Sequence, residues 1–123
     1  LQAAGIKTSL FINAHKRQLD AADQTNNEIV ELHTGAYADA QSIAEREQEF
    51  ARIVEASTYA DELGIQVNAG HGLHYENVQL IAEIPELACL NIGHSIISRS
   101  VMMGIDEAVG TMKLLIAGAP GKI

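Results

Sequence analysis

The chain uses one four-residue phrase twice. Asn68-Ala69-Gly70-His71 closes one apolar run, and Asn91-Ile92-Gly93-His94 closes the next, about one short strand–loop–helix unit later. In each copy β-type residues lead (Ile65, Gln66 and Val67, then Leu90 and Ile92), and a glycine, a histidine and a helical pattern follow. Glycine lets backbone N–H groups approach a ligand closely, and a helix N-terminus behind it favours an anion. An imidazole beside such a pocket can donate to phosphate or move a proton near neutral pH. Either histidine alone is better explained as a helix cap or a loop residue. Two copies at successive strand ends point instead to the ligand-binding rim of a β/α protein.

A second pair of groups lies upstream. Glu31 and His33 fall on one face of a strand read over Glu28–His33, because side chains alternate with period two. Near the strand's C-terminal end they would face the mouth of a barrel, where catalytic groups of that architecture gather. A carboxylate there could stabilise developing positive charge or orient a partner's proton. The competing reading of Glu31 is a buried ion pair, since a charge in an apolar run demands a partner. His33 stays open between a supporting and a structural role. His15 and His74 each stand near a helix start and read as caps or surface residues. With no H-x-x-x-H, no Cys/His cluster and no G-x-S-x-G elbow, neither a metal site nor a serine hydrolase is expected.

The elements that must carry these groups alternate. Strands are expected over Ile6–Ile12, Glu28–His33, Ile65–Ala69 and Ala88–Ile92. Helices are expected over Lys16–Asp23, from Asp39 to Leu63, over Tyr75–Ile84, from Ser95 and, for the last, within Met102–Ile116. Thr34 to Tyr37 has turn chemistry. In the long helix Ile43, Phe50, Ile53, Val54 and Leu63 form the inward stripe, and Gly64 stops it; Met112, Leu115 and Ile116 read as core. Residues 118–123 read as a frayed tail. Four βα units in succession imply parallel strands with right-handed crossovers. No G-x-G-x-x-G opens a helix after the first strand, and the glycine phrases follow the last two strands, where β/α barrels hold phosphate. The fold class expected is α/β, the C-terminal half of a (β/α)8 TIM-type barrel, over one partial domain, residues 1–123. Leu1 to Gly5 reads as the last turn of a helix, and no initiator Met precedes it, so the chain is expected to start partway through a larger protein.

Composition narrows the partners. At 123 residues with 47% apolar content the chain can bury a sizeable core, and a net charge of −8 leaves no basic surface for nucleic acid. Phosphate-bearing small molecules remain possible, because local donors and helix dipoles outweigh a negative total. No stretch is apolar enough to span a bilayer. Cys89, the single cysteine, sits in an apolar run and is expected in the core of a protein from a reducing, cytoplasmic compartment.

Longer segments now become informative together. Gly5-Ile6-Lys7-Thr8-Ser9-Leu10-Phe11-Ile12, Glu31-Leu32-His33-Thr34-Gly35-Ala36-Tyr37-Ala38, Val67-Asn68-Ala69-Gly70-His71-Gly72-Leu73 and Leu90-Asn91-Ile92-Gly93-His94-Ser95-Ile96-Ile97 resemble, in order, the pyridoxine 5′-phosphate synthase family. The resemblance implies the C-terminal half of that barrel. It also implies condensation of 1-deoxy-D-xylulose 5-phosphate with 3-amino-2-oxopropyl phosphate, releasing phosphate and water with no metal or organic cofactor. By the same resemblance His71 is the proton donor and Glu31 the transition-state-stabilising carboxylate, while Gly72, Gly93 and His94 bind the amino-ketone phosphate. The intact enzyme would be a homo-oligomer. The family's other catalytic His and Glu, and its pentulose-phosphate groups, have no position here, so the chain alone is expected to be inactive. Four parallel strands with two open edges and an uncovered face should also aggregate or dimerise. Two other readings remain: another phosphate-binding barrel enzyme, or a non-catalytic phosphate-binding half-barrel.

Overall fold

A computed structural model describes residues 1–118. Four strands, β1 (Ser9–Asn13), β2 (Ile29–His33), β3 (Gln66–Gly70) and β4 (Leu87–Asn91), form one parallel sheet in the order β1-β2-β3-β4. Between and after them lie α1 (Lys16–Gln24), α2 (Gly35–Asp39), α3 (Ile43–Glu62), α4 (Val78–Ala82), α5 (His94–Met103) and α6 (Ile105–Ala117). Sequential strands being neighbours throughout is the order of a barrel wall, as the half-barrel reading requires.

The two faces of the sheet differ in chemistry. Val30, Leu32, Val67 and Ala69 are buried on the helix side, where Leu19, Ile53, Ala60 and Ile81 meet them. Phe11, Glu31, Asn68 and Cys89 align as one row on the other face, and Asn13, His33, Gly70 and Asn91 as the next row toward the strand exits. Parallel strands buried on both sides read as continuous apolar runs. Alternation, as in Val30-Glu31-Leu32-His33, marks a sheet whose second face carries polar groups toward the strand exits.

Several boundaries depart from expectation for local reasons. The first strand starts at Ser9; before it, Ile6 N–H donates to Leu1 O (3.2 Å) rather than to the ladder, and the Thr8 hydroxyl donates to Asn27 Oδ1 (2.6 Å). The opening residues do form a helical turn, a 3₁₀ turn over Gln2–Ala4 that Gly5 ends at φ +72°. The expected turn at Thr34 to Tyr37 is the short helix α2. The long helix starts only at Ile43, where Ser42 Oγ accepts from Glu45 N–H (3.2 Å) and Glu45 Oε2 accepts from Gln41 N–H (2.9 Å), a variant of the capping box. Ile43 is therefore a first-turn residue, 78% exposed, and not part of the inward stripe. Gly64, at φ +74°, ends the helix as expected.

The helix expected over Tyr75–Ile84 is shorter, because Asn77 is used to brace the loop before it. Gly104, at φ +87°, separates α5 from α6, so the last helix starts at Ile105, inside the expected stretch, and runs to Ala117. Met112 is buried, while Leu115 and Ile116 are half-buried. Of the expected tail, Gly118 caps α6, and residues 119–123 lie outside the described residues.

Cys89 is the correction with most consequence. It is exposed, not core. The β3–β4 register shifts between Val67 and Asn68, so that Val67 faces Leu87 but Asn68 faces Cys89. One extra residue, Ala88, is taken up there, and a one-residue slip moves every later side chain to the opposite face. The bulge therefore turns Cys89 and Asn91 onto the open face and Leu90 toward the helices.

Candidate functional site

The strand exits are tied together by backbone and hydroxyl groups. Thr34, fully buried, donates its Oγ1 to Gly70 O (2.7 Å) and His71 O (2.6 Å), and its N–H also reaches Gly70 O (2.8 Å). Asn77 Oδ1 accepts from His74 N–H (2.7 Å), and its Nδ2 donates to Gly72 O (3.2 Å). Tyr37 Oη donates to Asn77 O (2.8 Å), and burial pushes that phenol's pKa up, keeping it a donor. Ser95 Oγ donates to Leu73 O (2.8 Å), locking the loop after β3 to the first turn of α5.

That frame holds His71 in an unusual backbone state. His71 has φ +83° and Gly72 φ +74°, two successive left-handed residues. A non-glycine residue there costs of order 1 kcal/mol, and such strain gathers at functional sites. Gly72 has a further reason: a methyl group on it would lie 2.6 Å from Ala38 Cβ. The turn lays the His71 ring against His33, with centroids 4.6 Å apart and planes 26° from parallel. Phe11 packs beside both rings, at 5.1 Å from His33 and 6.4 Å from His71.

Glu31 is half-buried and makes no ion pair among the described residues; its Oε2 accepts from Asn91 Nδ2 (2.7 Å). Between them runs β3, and Gly70 is what lets them meet. A side chain at Gly70 would overlap Glu31 Oε1 and come within 2.8 Å of Asn91 O.

The second phrase ends differently. Gly93 is the N-cap of α5 and His94 its first residue, and no side chain caps the helix. The first N–H groups of a helix have no intrahelical partner, so this end offers donors and a positive dipole to an anion. One cavity of about 500 Å³ is lined by Phe11, Glu31, His71, Gly72, Gly93 and His94, with Asn91 and Ser95 between them. The five residues singled out in the sequence therefore share a single pocket. His33 supports it from beside His71. His15 lies outside this cavity, whereas His74 is on its lining; each Nδ1 accepts a backbone N–H, from Arg17 and Glu76 respectively, at 3.2 Å. Among the described residues no three His, Cys, Asp or Glu side chains converge to share a metal ion.

Sequence reasoning assigned no role to Asn91, Thr34, Asn77 or Phe11, and it read Gly70 as room for a ligand rather than for the Glu31 carboxylate. Asn91 carried a visible signal, its place at the head of the repeated phrase. The others are legible only once strand register and loop path are known.

Comparison with known proteins shows what the chain is similar to. The curated pyridoxine 5′-phosphate synthase of Idiomarina loihiensis is 55% identical over 113 residues, 92% of this chain and 47% of its own. That of Coxiella burnetii is 54% identical over 119 residues, 97% of this chain and 50% of its own. The chain thus spans about half the length of the curated relatives it matches. Residues 1–118 match the model of the family described as pyridoxal phosphate biosynthesis protein PdxJ, and the chain belongs to that family.

Proposed function

We propose that this chain supplies the C-terminal half of the active site of a pyridoxine 5′-phosphate synthase. The complete enzyme joins 1-deoxy-D-xylulose 5-phosphate to 3-amino-2-oxopropyl phosphate and releases phosphate and water. The observation that carries the reading is the single pocket in which a strained His71, an oriented Glu31 and the uncapped α5 terminus meet. Imine formation, dehydration and phosphate loss need proton donors and acceptors placed beside an anion site. His71 gives the proton to a departing oxygen. Glu31, fixed by Asn91, stabilises the cationic iminium that precedes each elimination. Gly93 and His94, with Gly72 opposite, hold the amino-ketone's phosphate on the helix dipole.

These steps require no metal or organic cofactor. No helix is long and apolar enough to cross a membrane among the described residues, and we place the enzyme in the cytoplasm as a homo-oligomer.

The test is reconstitution. The chain, co-expressed with the first half of the Idiomarina loihiensis relative, should release phosphate and form pyridoxine 5′-phosphate from the two substrates, and the chain alone should not. Turnover by the chain alone would overturn the half-site reading. Phosphate-ligand binding by a folded, reconstituted pair that never turns over would overturn the catalytic one.

A further inference from the structure

We propose that His33 and His71 form a one-proton pair, in which His33 is a positioning residue that stays uncharged beneath a protonated His71. The inference deepens the reading of His71 as proton donor and rests on it for the use of the proton, though not for its location.

Two imidazoles stacked at 4.6 Å cannot both be charged without strong repulsion, so the first proton bound by the pair opposes the second. The surroundings decide which ring holds it. His33 Nδ1 accepts the Gly35 N–H (3.3 Å), a bond that exists only while Nδ1 is unprotonated, which puts the ring's one hydrogen on Nε2. Gly35 also seats the ring: a side chain there would overlap His33 Cε1 and lie 3.1 Å from Nε2. Phe11 packs on the same ring, and His33 is half-buried. His71 is exposed on its turn, and no hydrogen bond to its ring is made among the described residues.

The charged groups around His33 come from every element packed against it. Asp39 of α2 and Glu31 of its own strand favour its charged form, while His71 and Arg52 of α3 oppose it. Burial first, then His71, lowers its pKa below the ordinary histidine value. Facing His71 across the cavity are Glu31, His74 and His94. Burial and the Gly35 N–H thus hold His33 neutral, which leaves His71, the ring presented to the cavity, to carry the pair's proton. A general acid needs that arrangement.

Hydrogen exchange at each histidine C2, followed by mass spectrometry from about pH 4 to 9, reads every ring separately at micromolar concentration without any turnover. In the unmodified 123-residue chain, His33 should reach its midpoint at lower pH than His71. In His71→Phe, which keeps a stacked ring and removes its charge, the His33 midpoint should rise by about half a pH unit or more. Midpoints in the opposite order, or a His33 midpoint unmoved in a folded His71→Phe chain, would overturn the pair. The unmodified chain decides the order even where the variant does not fold. If the order holds but His71→Asn leaves kcat of the reconstituted enzyme intact, the pair stands and the proton-donor reading falls.

Discussion

The two copies of Asn-x-Gly-His are nearly identical in sequence and unlike in structure. In the first, Gly70 is the last residue of β3 and buried, and His71 enters a left-handed turn that lays its ring over the sheet. In the second, the strand stops at Asn91, Gly93 caps α5, and His94 is a helical residue. The two phrases are out of step across the sheet: Gly70 pairs with Asn91, so the second copy lies two positions further toward the mouth. The same residue types are therefore held in different geometries. The first copy presents a strained histidine and an empty corridor for Glu31. The second supplies the carboxamide that uses the corridor and a helix end that no side chain caps.

The comparison can be broken most forcefully at the histidines. In the reconstituted enzyme His71→Asn should lower kcat by about 10²–10⁴-fold with little change in KM, the range for a lost general acid. His94→Asn should chiefly raise the KM for the amino-ketone phosphate. Steady-state kinetics on both variants check this, and equal effects on kcat would erase the distinction between the phrases.

The glycines come next. Gly70→Val should destabilise the chain by about 1–3 kcal/mol by overpacking, and separate Glu31 from Asn91. Gly93→Ala, whose added methyl meets nothing within 4 Å, should cost no more than about 1 kcal/mol as a poorer N-cap. Urea denaturation of the two variants gives the contrast directly.

Substituting glycine for each histidine should have opposite signs. His71→Gly relieves the positive φ and should stabilise by about 1 kcal/mol while removing activity. His94→Gly weakens the first turn of α5 and should destabilise by up to about 1 kcal/mol. Stabilisation in both would mean that the left-handed turn carries no strain.

The smallest effect is in pH. Because the His33 pKa is lowered on folding from 6.5, the unfolded state binds the proton more tightly just below that value. The stability this ring contributes is complete above pH 6.5 and declines as the pH falls through and below it. His33→Gln should flatten the decline below pH 6.5, measured as denaturation midpoints.

How much of this was legible in the sequence differs from residue to residue. The parallel α/β alternation was readable because period-two and period-3.6 patterns are local. So were the caps at His15 and Gly64, which need only a few neighbouring residues. Glu31 and His33 sharing a face followed from pleat geometry alone. The break of the long helix at Ala40 to Ser42 was present in Ser42 and Glu45 and went unread, since helical periodicity persists on both sides of it.

What the sequence determined, then, is an alternating β/α chain carrying a repeated glycine–histidine phrase, because short-range spacing is enough to define strands, helices and turns. What only the tertiary structure decided is which groups meet. A single bulge at Ala88 sets the face of everything after it on β4, exposing Cys89 and bringing Asn91 to Glu31 past the bare Gly70. The stack of His33 on His71, with His33 Nδ1 held by one backbone N–H, likewise joins groups from the ends of two strands. Register is a relation between segments distant in sequence, and local spacing does not encode it.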